Sequence, residues 1–163
     1  MKRVAVIALI SYCAFALEFL LYNFWGQWGK PELLILVVIF FNLYLGIRFS
    51  IIAALFCGLF KDASGAAPFG TYLLVYICAA YMTTLVRQYI YQPGSRFSRA
   101  VVTCLVIIGC FIVQALLANM DREVRLGELL YYLLLPQMIT TMVAATYVFA
   151  KLKNISELFV LKT

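Results

Sequence analysis

Charged residues interrupt the apolar stretches of this sequence at two places, and any chemistry would have to begin there. Glu18 lies within a run that is otherwise apolar from residue 4 to residue 25. An ionisable side chain inside a membrane-length run is costly, and by default it marks a functional site. No histidine occurs in the chain, and no second acid lies along that run to continue a proton relay. Pairing with another helix is therefore the expectation for Glu18, set against a hydrogen-bonded structural carboxyl near the outer interface. The second place is Lys61-Asp62, which opens a turn rich in small residues over 61–70. Asp62 is expected to anchor that turn by accepting from the N–H groups of Ser64 or Gly65, the plainer alternative being a solvated charge pair in an outer loop. The five cysteines (Cys13, Cys57, Cys78, Cys104 and Cys110) all sit in apolar runs, with no Cys-x-x-Cys pair, and read as small hydrophobes. Nothing has the spacing of a nucleophile with its base, a metal site or a phosphate-binding loop. The expectation is a protein that is not an enzyme and carries no cofactor or metal.

The elements that must hold these residues follow from composition. Of 163 residues 66% are hydrophobic and 12% charged, where a soluble domain carries about 25% charge. Such a chain cannot cover its surface with polar groups, so lipid is its solvent. No linker or low-complexity stretch divides it, and a single polytopic membrane domain over 1–163 is expected. A span needs roughly 20 apolar residues, so six spans nearly exhaust the length.

The spans are predicted at about 4–25, 33–47, 50–60, 71–86, 100–118 and 126–149. The first begins like a signal peptide, with Ala14-Phe15-Ala16 in the small-x-small form of a cleavage site, but it continues through Phe19, Leu20 and Leu21 and is expected as a retained helix. Trp25 and Trp28 suit a membrane interface, and Pro31 suits the start of the second helix. The third run, 50–60, has eleven residues, too few at 1.5 Å each for a core of about 30 Å. It is expected to cross only with help from 61–70, a re-entrant-like loop whose irregular backbone would be buried in protein. Pro136 falls inside the sixth span and should kink it.

Six spans place the amino terminus, the 2–3 and 4–5 loops and the carboxyl terminus on one side. That side holds Lys2, Arg3, Arg48, Arg87, Arg96, Arg99, Lys151, Lys153 and Lys162, whereas Glu32, Asp62, Asp121, Glu123 and Glu128 lie on the other. The basic excess therefore reads as an orientation signal, with both termini cytoplasmic, rather than as a nucleic-acid surface. Small residues recur four apart, as in Ala54 with Gly58, Ala80 with Thr84 and Thr141 with Ala145, and are expected to let helices approach closely within the bundle. Asn42, Gln114, Asn119, Gln137, Thr140 and Thr141 are expected to hydrogen-bond between helices. The loop 87–99 mixes three arginines with aromatics and suits anionic lipid headgroups.

The order of these features resembles a known family. Lys30-Pro31-Glu32-Leu33-Leu34 opening the second helix is similar to a Lys-Pro-Asp-Leu-Leu start. The segment from Gly58 to Gly70, with Leu59, Asp62, Ser64, Gly65 and Pro68, resembles a Gly-Leu-x-x-Asp…Ser-Gly…Pro-Leu-Gly pattern. Leu135-Pro136 followed by Thr140 and Thr141 matches the last helix. Together these resemble MreD, the rod shape-determining membrane protein family, with Glu32 where aspartate is frequent and Phe69 where leucine is. The resemblance implies an all-α fold like the substrate-binding S-components of energy-coupling-factor (ECF) vitamin transporters. It also implies a non-enzymatic inner-membrane partner of MreC, in a complex with MreB, RodA and a class B penicillin-binding transpeptidase that builds peptidoglycan. Glu18, Pro31, Gly58, Asp62, Gly65, Pro68, Gly70 and Pro136 are the candidate structural or partner-contacting positions. The alternative reading is a ligand-binding subunit of a vitamin-type transporter, with Trp28, Asp62 and Tyr72 converging on the ligand.

Overall fold

The computed structural model describes residues 2–25, 31–64, 68–90, 96–121 and 139–149. These residues form helices and short connections, with no strand among them: α1 (Lys2–Trp25), α2 (Leu33–Leu45), α3 (Ile47–Ser64), α4 (Thr71–Ile90) and α5 (Arg96–Asp121), then α6 (Ile139–Phe149). Gly26–Lys30, Gly65–Ala67, Tyr91–Ser95, Arg122–Met138 and the stretch after Phe149 lie outside the described residues. Gly65, Pro136 and the amino-terminal half of the expected sixth span fall there.

The axis of the bundle is α2. Every residue from Leu33 to Leu43 is buried, because the segment is apolar on all faces until Asn42 and such a helix must be enclosed. At 13 residues it rises only about 20 Å, less than a hydrocarbon core. α3 and α4 pack on α2 and on each other, α1 packs on α3 and α2, and α5 lies against α4. α6 reaches α2 through the rings of Phe149 and Phe40, 6.0 Å apart. The α3–α4 contact is the tightest, since a Cβ on Gly58 would come within 2.6 Å of Leu73 Cα. The small residues Ala53, Ala54 and Cys57 of α3 and Ala79, Ala80 and Thr83 of α4 are fully buried.

The outward faces carry Leu9, Leu17, Phe19 and Leu20 on α1, Tyr81 and Leu85 on α4, Ile112 and Leu116 on α5, and Ile139 and Val143 on α6, all exposed. Two helical stretches, Val4–Phe24 and Phe97–Leu117, are long and apolar enough to cross a membrane. A surface of this kind is solvated by lipid, and the backbone behind it is satisfied by helical hydrogen bonds.

The third helix corrects the sequence reading. It is not an eleven-residue stub followed by a re-entrant stretch from residue 61, but one helix of 18 residues, Ile47–Ser64, rising about 27 Å. Counting apolar residues stopped it at Phe60 because Lys61 and Asp62 look like a solvated end. Both are in fact buried and helical, and a charge with a partner does not terminate a helix. The other boundaries move by a few residues: α2 ends at Leu45, α4 continues to Ile90, and α5 opens at Arg96.

Candidate functional site

The helices alternate in direction, so the ends of α1 and α3 meet the starts of α2, α4 and the described part of α6. Glu18, Glu32, Lys61, Asp62, Tyr72 and Thr141 all come together at that end. Glu18, Lys61 and Asp62 are 3%, 7% and 6% exposed. Glu18 Oε1 accepts directly from the Lys61 ammonium, across 43 positions of sequence. Glu32 Oε1 lies 3.9 Å from the same nitrogen, and the ring centroid of Tyr72 lies 5.6 Å from it. The rings of Phe15 and Phe60 stack 5.8 Å apart, one turn from Glu18 on α1 and beside Lys61 on α3.

The carboxylates also cap helices that are not their own. The first N–H groups of any helix lack an internal acceptor and gather a partial positive charge. Asp62 serves two of them on α4 and the amide just before it: Oδ2 accepts from Gly70 N (3.0 Å) and Leu73 N (3.1 Å), and Oδ1 from Tyr72 N (3.0 Å). Asp62 thus anchors the far side of the turn, where the sequence pointed to Ser64 or Gly65; Gly65 lies outside the described residues. The Ser64 hydroxyl turns back to the Phe60 and Lys61 carbonyls instead. Gly70 completes the turn at φ 100°, a conformation open to glycine without strain. Glu18 Oε2 accepts from Leu34 N on α2 at 3.4 Å. The Glu32 amide donates to Thr141 Oγ1 at 3.2 Å, tying the start of α2 to α6.

Among the described residues the site therefore holds three carboxylates against one ammonium and two helix amino termini of about half a charge each. No group of three or more metal-ligating side chains that could hold an ion occurs among the described residues, and the described cysteines are all free thiols. What the arrangement does is mechanical: it fastens α1, α2, α3, α4 and α6 at one level. A model for the family "rod shape-determining protein MreD" matches residues 2–153 of the chain. The chain belongs to the MreD family. It is thus a membrane protein of the cell-shape class. No curated protein and no solved structure matches it.

Within this MreD-family chain the positions singled out in the sequence fall into three groups. Glu18, Asp62, Gly58 and Gly70 belong to the clamp or to the close α3–α4 contact beneath it. Pro31 is buried just before α2, and its carbonyl accepts from Leu33 N. Pro68 is exposed in the turn, where its carbonyl accepts from the Thr71 amide and hydroxyl. Gly65 and Pro136 lie outside the described residues. Sequence reasoning missed Lys61 as the partner of Glu18. The available signal was a lysine and an acid on separate runs, neither of which could stay buried alone.

Proposed function

We propose that this chain is a non-enzymatic scaffold subunit of the bacterial rod-elongation complex in the inner membrane. In this reading it binds MreC, and through it serves MreB, RodA and a class B penicillin-binding transpeptidase in peptidoglycan synthesis. Membership of the MreD family over 2–153 carries the proposal. The buried site supports it, because the described contacts of its charged groups run to other helices of the bundle and none is arranged around a reacting atom. A scaffold needs a fixed shape more than a reactive group. The clamp and the wholly buried α2 supply that rigidity.

The same reading orients the protein with both termini in the cytoplasm, by the basic excess on that side, and assigns it the six-span fold of ECF S-components. The vitamin-transporter alternative is less well supported. It needs Asp62 for a ligand, whereas the two oxygens of that carboxylate already accept from three backbone N–H groups.

The test is co-purification from native membranes with a tag on this chain, paired with its deletion. MreC should be recovered in stoichiometric amount, and deleted cells should lose their rod shape. A chain recovered without MreC, together with unchanged cell shape on deletion, would overturn the proposal.

A further inference from the structure

At the opposite end of the bundle α2 and α4 finish while α1, α3 and α5 begin, and α3, α4 and α5 each carry an arginine at this level. Arg87 of α4 donates from Nη1 to the Asn42 carbonyl at 2.8 Å. Arg99 of α5 donates from Nη1 to the Tyr44 hydroxyl at 3.1 Å. Arg48 follows Gly46 in the first turn of α3 and is exposed. A guanidinium has five N–H donors, so each of the two bonded arginines keeps most of its capacity. Helix termini of both signs meet at this level. Among the described residues the acids whose side chains are described, Glu18, Glu32 and Asp62, all stand at the other end. Three cations therefore share one level of the membrane with no described carboxylate, flanked by the exposed rings of Tyr89 (85%) and Phe97 (80%). Rings of that kind belong at headgroup depth.

We infer that this arginine cluster is a binding site for the phosphate of an anionic phospholipid headgroup. Guanidinium meets phosphate oxygens in paired, charge-assisted hydrogen bonds. The half-buried Arg87 and Arg99 are held in place by Asn42 and Tyr44, so the site is formed before the lipid arrives. The aromatic side chains beside it match the junction of headgroup and acyl chain. This site goes beyond the scaffold reading and does not depend on it. It requires only that the protein sits in a membrane.

The experiment is native mass spectrometry of the purified chain in detergent, offered phosphatidylglycerol and phosphatidylcholine at equal mole fraction. The protein should retain phosphatidylglycerol at least about tenfold in preference. Each Arg→Gln change at Arg48 or Arg99 should lower that preference about fivefold, and R48K should keep most of it. Arg48 is exposed, so R48Q reads binding with little cost to folding. Equal retention of the two lipids, or an R48Q/R99Q variant that keeps the preference, would overturn the site. Inorganic phosphate alone, titrated against thermal melting, should change nothing at millimolar concentration. Stabilisation there would identify a free-anion site and overturn the lipid assignment.

Discussion

The two ends of α2 solve the same problem in opposite ways. Both must satisfy the bare termini of a helix buried on every side. At its start the work is done by ionised side chains of other helices: Glu18 takes the Leu34 amide, Lys61 neutralises Glu18, and Asp62 does the like for α4. At its finish Arg87 and Asn42 donate mostly to backbone carbonyls, those of Asn42 and Ala80. The first end is a closed circuit of buried charges, and removing one member strands the others. The second aims its donors at backbone carbonyls, which no substitution removes, and at the Thr84 and Tyr44 hydroxyls, with cationic capacity left over. One end is therefore built to be rigid and intolerant. The other is tolerant and open to a ligand.

The sharpest way to break this contrast is K61M. Removing the ammonium leaves Glu18 buried as an unpaired carboxylate, with Glu32 close by, and losing one partner of a buried pair costs about 3–5 kcal/mol. Yield of monodisperse protein in detergent should collapse, and the melting temperature should fall further than for any other single change considered. Adding E18Q should restore at least half of the loss, because a neutral pair of similar volume carries no stranded charge. A K61M protein that melts with the parent would mean the circuit is not closed.

D62N is the next largest. The amide keeps one oxygen where three N–H groups need two, and its NH2 would face a backbone donor. Leaving a buried donor unsatisfied costs about 1–3 kcal/mol, and the favourable charge at the α4 terminus is lost as well. Hydrogen exchange should quicken first at the Gly70, Tyr72 and Leu73 amides while the middle of α4 stays protected. Uniform exchange across α4 would show that Asp62 is not the local cap.

These two residues also show how far the sequence could be read. The helical membrane class, the run holding Glu18 and the anchoring role of Asp62 were all accessible from local pattern, because an acid in an apolar run and a turn of Gly65, Pro68 and Gly70 are visible over a few residues. The pairing of Glu18 with Lys61 was not, since it spans 43 positions and exists only once α1 and α3 pack. The same blindness shortened α3. Hydropathy treats a charge as contact with water, and it cannot know that the water has been replaced by a carboxylate from another helix. The Glu32–Thr141 contact, across 109 positions, had no local signature at all. The embedding of α2, by contrast, was available in the absence of any polar face from Leu33 to Phe41.

The smallest effect belongs to the tolerant end. Asn42 donates to the Ala80 carbonyl at 2.7 Å and to Thr84 Oγ1 at 2.9 Å, two side-chain bonds between α2 and α4. N42L removes both at similar volume, yet little is stranded. Thr84 still donates to the Ala80 carbonyl at 3.0 Å, and Arg87 still reaches the carbonyl of residue 42, which belongs to the backbone. Interhelical hydrogen bonds within membranes average about 0.6 kcal/mol, so N42L should cost roughly 1 kcal/mol and leave the fold and the lipid preference in place. Measured beside K61M and D62N in one detergent, it should melt closest to the parent. If N42L instead falls as far as K61M, the tolerance assigned to this end is wrong, and the buried amide rather than the charge circuit fixes how α4 sits on α2.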